Sequence, residues 1–250
     1  MRLIPNWRFP ESSERQLSRS LQEATRESVI LMRDRLDSLK FDAEESEIAQ
    51  AEEDLEAEIL AIFLSVALGL YAIGRTVYRF NSQQWLAIAI ASGGKDNAAV
   101  MTLDRFGANE QEPWFKQKIE LWDGAARNSI TKLARDIVSD WSTNVRVEAM
   151  KGASRKEVDE TIEKRYAIYG SWSKNRASGI IGTFNSMLMK QRLYDAGVAF
   201  YIWRGKMDDR ERESHILLEG VKRSVFGEGI FPGEEYGCRC WAVPYWGDKK

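Results

Sequence analysis

The chain has 250 residues, of which 44% are hydrophobic and 30% charged, and its formal net charge is −2 at pH 7. This composition excludes an intrinsically disordered chain, and the length suits one large domain or two ordinary ones. Two neighbouring cysteines cannot form the disulfide framework of a small secreted protein, and residues 1–16 lack the apolar core of a signal peptide, so we expect a cytoplasmic setting.

Charge is unevenly distributed along the chain. Residues 1–60 carry 8 Lys or Arg against 15 Asp or Glu, whereas residues 61–200 carry 19 against 14. An acidic N-terminal arm beside a mildly basic middle predicts charge pairing within the molecule or between subunits. The basic excess is far below that of sequence-specific DNA-binding proteins, so a protein of that class is not expected.

Residues 12 to about 39 and residues 42–58 are predicted to be helical. Apolar residues at helical spacing from Ser12 to about Leu39 indicate an amphipathic helix with Ser12 or Ser13 as its N-cap. The stretch 42–58 is rich in Ala and Glu, which are good helix formers. Its charge run favours a solvated helix face over a dedicated partner site.

An apolar run from Ile59 to Gly74 lies between Glu58 and Arg75. A membrane-spanning helix needs about 20 apolar residues, and this run is shorter. We therefore predict a buried core helix or an oligomer-interface helix rather than a membrane span, and we expect no membrane association.

Two polar breaks, at 91–97 and 106–114, separate this region from later helices. From Trp114 to Met150 the apolar residues again follow helical spacing, and the aromatic residues among them indicate packing rather than a ligand site. Ser154 and Glu157 match a capping box that would start the next helix. A further helix is predicted from Trp172 to Gly197, with that glycine as its C-cap.

The pattern changes in the last 50 residues. Val198–Gly205 is rich in β-branched and aromatic residues and is bounded by glycine, which predicts a strand, and the Gly- and Pro-rich sequence that follows predicts turns and short strands. The expected fold class is a mainly α-helical N-terminal region with a small C-terminal α+β module. We place the helical region at 1–150, with an acidic arm at 1–60, and the module at 151–250.

The side chains best suited to metal binding or catalysis lie in this module. Cys238, Cys240 and the chain's only histidine, His215, are the ligand types that zinc prefers, with Asp208 or Asp209 as a fourth donor. Structural zinc sites normally place two to four residues between paired cysteines, whereas only one separates this pair. Two other interpretations stay open: the sulfurs pack as small buried apolar groups, or they form a disulfide or redox pair.

Charged residues of the module allow a purely structural role as well. Asp208, Arg210 and Arg212 follow the predicted strand, and Arg239 separates the two cysteines, so carboxylate–guanidinium pairs can brace the loops. An enzyme, whether a zinc-dependent hydrolase or nuclease built on the histidine and cysteines or a thiol enzyme, is the less favoured alternative. With one histidine in the chain, a metal bound by it leaves no imidazole for proton transfer.

The module resembles a known family in the order of its residues. That order is Trp203, Asp208, Arg210, Arg212, His215, Leu218, Gly220, Phe231-Pro232, Cys238-Arg239-Cys240 and Pro244. It is similar to the C-terminal module of tailed-phage minor head proteins, the Mu F-like head morphogenesis family, whose members carry W-x-T-x-x-D-x-R-x-R-x-x-H and a later C-R-C before a proline. The stretch Asn175–Asn185 resembles the helix before that module. Gly205 and Phe184 depart from the family's Thr and Glu, and the resemblance covers about the last 80 residues.

The resemblance implies a structural virion protein rather than an enzyme. It implies a minor capsid protein that acts at the portal during procapsid assembly, in DNA packaging or in DNA ejection. The implied partners are the portal protein, a scaffold or major capsid protein, and double-stranded DNA bound without sequence specificity. The implied location is the capsid interior, and the host cytoplasm during assembly. Independently of the resemblance, the helical and charge-segregated residues 1–150 suit a portal or oligomer contact.

Overall fold

A computed structural model describes residues 4–38, 45–103 and 110–247 of the chain, without the side chains of residues 37, 38 and 45–49. Most of the described chain is α-helical, and a small antiparallel sheet of three strands lies near its C-terminal end. The predicted fold class is confirmed. Part of the predicted acidic helix, residues 42–44, lies outside the described residues.

The elements of the described chain follow one another in this order: α1 Glu11–Ser38, α2 Glu45–Ala67, α3 Leu70–Gly93, α4 Ala98–Thr102, α5 Phe115–Trp141, a π-helical turn Ser142–Arg146, α6 Val147–Met150, α7 Arg155–Asp195, β1 Phe200–Arg204, α8 Glu213–Ile216, β2 Lys222–Ser224 and β3 Trp241–Tyr245.

Of the two helix starts predicted from capping residues, that of α7 is confirmed and that of α1 is wrong. α1 begins at Glu11, so neither Ser12 nor Ser13 precedes it as an N-cap. The capping box at the start of α7 is present, because the backbone N–H and the hydroxyl of Ser154 each lie 2.7 Å from a carboxylate oxygen of Glu157. These bonds lower the pKa of that carboxyl.

The two helices predicted between residues 154 and 197 are a single helix. α7 runs for 41 residues, and Trp172, the predicted start of the second helix, lies in its interior. α7 ends close to the predicted C-cap, Gly197, which has a φ of +64°. Val198 N–H then donates to the carbonyl of Leu193 at 3.0 Å, which satisfies a carbonyl at the helix end.

The chain forms two compact units, each assembled from separate stretches of sequence. Unit 1 comprises Met1–Glu14, Tyr71–Trp122 and Ser178–Lys250, and unit 2 comprises Arg15–Leu70 and Asp123–Ala177. The helices α5 and α7 therefore contribute residues to both units. The predicted domain boundary at residue 150 stays a prediction.

Unit 2 is helical, and its acidic helix α2 is paired with arginines of the same unit. Glu52 lies 2.9 Å from Arg146, and Glu56 lies 3.3 Å from Arg135. The charge pairing that the sequence predicted therefore occurs within the molecule. These pairs are partly exposed, so each contributes little to stability and serves mainly to neutralise the acidic face.

Unit 1 contains the sheet and a core beneath it. The strand order is β2-β1-β3, with Tyr201 opposite Pro244 and Trp203 opposite Ala242 in the antiparallel pairing of β1 with β3. The side chains of β1 alternate, so Tyr201 and Trp203 point into the core. The core also takes apolar residues from α3, α4 and α7, namely Trp85, Ile88, Ala89, Ala99, Val100, Met189 and Leu193.

A buried ion pair links separate stretches of unit 1. Arg192 of α7 donates to Glu112 at 2.6 Å, and both side chains are only 1% exposed. The guanidinium also donates to Asn81 at 2.8 Å and to Ser82 at 2.7 Å, and the hydroxyl of Tyr78 bonds to the same carboxylate. Burial raises the pKa of Glu112, although Arg192 opposes that rise. Nothing in the sequence patterns singled out this network.

The apolar run predicted as a buried or interface helix spans the end of α2 and the start of α3. Ile59, Phe63 and Ile73 are buried, whereas Leu68 is 79% exposed. Within the described residues, one helical stretch, Gln50–Gly93, has the length and hydropathy of a membrane-crossing helix, and 33% of its most apolar window is buried. Core helices of soluble proteins meet the same criteria, so the expectation of no membrane association stays a prediction.

Gly74 allows α3 to approach α5 closely. A Cβ at this position would lie 2.6 Å from Trp122 and 3.0 Å from Ile119, which are both buried and have little room to move. We expect Gly74→Ala to lower the free energy of unfolding by about 1–3 kcal/mol. Gly124→Ala is the matched control within α5, where a Cβ would meet nothing within 4 Å, and it should raise stability by about 0.5–1 kcal/mol. Urea denaturation measures both, and the same change in both variants would contradict the close approach.

Candidate metal centre

The candidate centre is built from the two loops that connect the strands of the sheet. Residues 205–221 lead from β1 to β2 and contain α8, on which His215 lies. Residues 225–240 lead from β2 to β3 and end with both cysteines. Because β1 pairs with both β2 and β3, the sheet brings the two loops together. The centre lies entirely within unit 1.

The three predicted metal ligands form one buried group. His215 Nδ1 lies 3.5 Å from the sulfur of Cys238 and 3.5 Å from the sulfur of Cys240, and the three donor atoms all lie within 4.8 Å of one another. All three residues are buried. The single residue between the cysteines therefore does not prevent them from sharing one site, because alternate residues of an extended segment face the same way.

Arg239, the residue between the two cysteines, has a role of its own in the site. It makes two hydrogen bonds to Asp208, at 2.7 and 2.5 Å, and so ties the loop before β3 to the loop after β1. The hydrogen bonds from Arg239 lower the pKa of Asp208 to about 2. Both carboxylate oxygens of Asp208, which was predicted as a fourth metal donor, thus accept hydrogen bonds from the arginine. Asp209, the other predicted donor, is exposed and lies outside the group of His215 and the two cysteines.

A residue that the sequence patterns did not single out lies beside the donors instead. Glu211 Oε1 lies 3.2 Å from the sulfur of Cys240 and 3.4 Å from His215 Nδ1. The sequence signal for it is residue type alone, because Glu211 is an acid close to His215 but lies before α8. The neighbouring acids Asp208 and Asp209 obscure that signal, since they offer the same ligand type in the same charged stretch.

The two thiols have different pKa values because one of them donates a hydrogen bond to the other. The pKa of Cys238 is lowered to about 6, chiefly by the hydrogen bond from the Cys240 thiol and also by backbone N–H groups of Cys240 and Gly233. The pKa of Cys240 is raised, because its thiol donates that bond, is buried and faces Glu211. Neither cysteine forms a disulfide, and Cys238 is the more acidic of the two.

The other predicted site residues surround this group. Trp203 is fully buried and packs edge-on against His215, with ring centroids 5.3 Å apart. Arg212 donates to the carbonyl of Tyr236 at 2.6 Å, which fastens the loop from β1 to the loop before β3. Arg210 is exposed, and its backbone N–H donates to Asp208 at 3.1 Å.

Comparison with known proteins assigns no family to the chain. No protein-family model matches it, and no solved structure matches it significantly. An uncharacterized protein of Haemophilus influenzae is 24% identical over 123 residues, covering 45% of this chain and 27% of that protein. The chain thus spans about a quarter of the length of this relative, and the similarity carries no function with it.

The chemistry of the donors is compatible with a bound metal ion. Two sulfurs and an imidazole nitrogen are ligands typical of zinc, and a buried His/Cys/Cys group of this size could hold such an ion. The sheet connects the two loops at their ends, and a bound metal would also join them at the ligands. Such a cross-link stabilises a small module, whose core is limited by its size.

Proposed function

We propose that this chain is a minor capsid protein of a tailed phage, of the Mu F-like head morphogenesis kind, which acts at the portal in procapsid assembly and in DNA packaging or ejection. The observation that carries the proposal is the spatial grouping of the residues behind the resemblance. Seven of them lie around one centre in unit 1: Trp203, Asp208, Arg212, His215, Cys238, Arg239 and Cys240. Residues so far apart in sequence that converge on one centre act as a unit.

Zinc is the metal that we propose for this centre. Its role is to hold the loops of the module closed, because the donors are buried and come from two different loops. The Asp208–Arg239 pair joins the same two loops. Metal and ion pair together would give the module a fixed surface for a partner.

A structural role accounts for the site better than catalysis does. A zinc-dependent hydrolase or nuclease built on His215, Cys238 and Cys240 needs an open coordination position and a general base. The histidine that would hold the metal is the only one in the chain, and all three ligand side chains are buried. These features favour a closed site, so we do not propose an enzyme.

The proposed partners are the portal protein and a scaffold or major capsid protein, contacted by the helical part of the chain. Non-specific binding to double-stranded DNA receives less support, because arginines such as Arg135 and Arg146 are already paired with acids of unit 2. We propose that the protein resides in the capsid interior of the virion and in the host cytoplasm during assembly.

The test is the presence of the protein in phage heads. Procapsids and mature particles would be purified from host cells in which the genetic element that carries this gene is induced, and portal rings would be isolated from them by affinity purification. We expect the protein in procapsids and bound to the portal ring. A double variant, Cys238→Ser with Cys240→Ser, should open the C-terminal module but leave the helical part folded, so it should stay in the portal fraction, as should Gly124→Ala.

Two results would contradict the proposal. Absence of the protein from both kinds of particle would exclude a virion role. Its presence in host cytoplasm without any association with the portal, while the portal itself is assembled, would exclude the proposed point of action.

A further inference from the structure

We infer that Glu211 is the fourth metal ligand of this centre and that Glu235 is a positioning residue for His215, so that the site is a closed zinc centre of two thiolates, one imidazole and one carboxylate. This inference rests on the metal site of the proposed function. It assigns the site its coordination and its support, and it does not depend on the phage role.

The distances around Glu211 are those of ligands that share one ion. A tetrahedral zinc ion with bonds of about 2.0–2.3 Å separates its ligand atoms by about 3.3–3.8 Å. The carboxylate oxygen of Glu211 lies 3.2 Å from Cys240 and 3.4 Å from His215, and the histidine nitrogen lies 3.5 Å from each sulfur. Four of the six separations among these donors therefore lie at or close to the edge length of one tetrahedron.

The two oxygens of Glu211 have different surroundings, as expected for a carboxylate that binds a metal through one of them. Oε1 faces the thiol and the imidazole, whereas Oε2 accepts a hydrogen bond from the backbone N–H of Lys206 at 3.0 Å. Gly205 makes room for this oxygen, since a Cβ there would lie 3.2 Å from it. The backbone thus holds the carboxylate in place with one oxygen left for a ligand.

Charge supplies a second argument for a cation. The Glu211 side chain is 5% exposed, and among the described residues His215 is the only basic side chain in ion-pair contact with it. A buried carboxylate beside a thiol and an imidazole is costly unless a positive charge lies near it. A divalent cation bound by all four donors would supply that charge.

The imidazole of His215 is arranged for binding through Nδ1. That nitrogen faces the sulfurs and Glu211, and the other nitrogen, Nε2, lies 2.9 Å from a carboxylate oxygen of Glu235. Nε2 is buried and makes no aligned hydrogen bond, so a small turn of the half-exposed Glu235 carboxylate would complete one. A carboxylate that accepts from the distal nitrogen fixes the tautomer and orientation of a metal-binding histidine. Arg212 lies 3.3 Å from Glu235 and holds it near the ring.

The experiment compares zinc affinity in the full chain and in four variants. Each protein is stripped of metal, and zinc is titrated in competition with a chromogenic chelator of known affinity. We expect one zinc per wild-type chain, a loss of about 100-fold or more in affinity for Glu211→Gln, and a loss of about 10–100-fold for Glu235→Gln. Glu213→Gln is the matched control from the same loop, because Glu213 is exposed at the start of α8, and its affinity should not change.

Glu211→Cys, the fourth variant, separates a ligand from a structural side chain. A thiolate can serve as a ligand in place of the carboxylate but cannot accept the Lys206 hydrogen bond in the same way, so a ligand position should regain part of the affinity that Glu211→Gln loses. With cobalt(II) in place of zinc, the thiolate-to-cobalt charge-transfer absorption should rise by about half, because three sulfurs replace two. The visible bands should keep the high intensity of tetrahedral cobalt(II) in the wild type and in this variant.

The possible results test the metal site itself separately from the roles of Glu211 and Glu235. A wild-type chain that binds no zinc and no cobalt would refute the metal site itself, and the inference with it. One zinc in the wild type, with equal affinity in Glu211→Gln and Glu213→Gln, would refute Glu211 as ligand while the site of two cysteines and one histidine stands. Unchanged affinity in Glu235→Gln would refute its positioning role alone.

Discussion

Removal of the metal is expected to open the C-terminal module while the helices of unit 2 stay folded. In the proposed zinc site, His215, Cys238 and Cys240 would hold two loops together, and removal of the ion would leave the buried sulfurs and the neighbouring carboxylate of Glu211 without a compensating charge. We expect chelation of the wild-type protein to lower the stability of the module by at least about 3 kcal/mol. Hydrogen exchange measures this directly, as faster exchange of amides in β1 and β3 with unchanged protection in α1.

The double variant Cys238→Ser with Cys240→Ser is the companion to chelation. It should show the same loss of protection before any chelator is added, and the chelator should have no further effect on it. Because the two treatments remove the same interaction, their effects should not add. An unchanged melting profile in the double variant would mean that the sulfurs only pack.

The second large effect is expected at Arg192. Replacement by Met leaves Glu112 buried without its ion partner, since the two side chains are each 1% exposed. Breaking a buried pair in this way costs about 3–5 kcal/mol. Lys132→Met is the matched control, because Lys132 pairs with Asp136 at 2.9 Å with its side chain 67% exposed, and that change should cost less than about 1 kcal/mol. Guanidinium denaturation at neutral pH measures both.

The cost of Arg192→Met should depend on pH in a defined direction. Burial already raises the pKa of Glu112 and the arginine opposes that rise, so loss of the arginine raises the pKa further. Below the raised pKa the carboxyl is neutral and its burial costs less. The variant should therefore be closer to the wild type in mild acid than at pH 8.

A double variant tests whether the charge itself is responsible. Arg192→Met combined with Glu112→Gln leaves no charge in the network, and it should be more stable than Arg192→Met alone. A double variant less stable than either single variant would show that the hydrogen bonds to Asn81 and Ser82, rather than the charge, dominate the network.

The sequence predicted the fold class from local patterns, and it predicted the candidate metal ligands from residue identity. Helical spacing marked α1 and α5, and the change to β-branched and aromatic residues marked β1. The ligand types of His215, Cys238 and Cys240 are chemically distinctive, so their grouping could be expected from residue identity alone. The predicted start of α1 was wrong, because serines within the first helical turn resemble an N-cap.

Partners that depend on tertiary structure could not be predicted. Arg192 meets Glu112 across 80 positions of sequence, and no local pattern marks an arginine as buried. Glu211 is one of several acids in a charged stretch, and only the path of the loop selects it over Asp208. The continuity of α7 was also missed, because a helix-breaking residue such as Gly170 is tolerated where the rest of the helix is packed.

The strand order of the sheet has a consequence for folding during synthesis. β1 is the central strand, yet it is made first, and 36 residues separate its end from the start of β3. Until β3 is made, one edge of β1 has no partner, and a strand edge of this kind invites pairing with other chains. Cys238 and Cys240 directly precede β3, so the arrival of the metal ligands and the closure of that edge coincide. Metal supply during translation should thus decide how long the nascent module remains prone to aggregation.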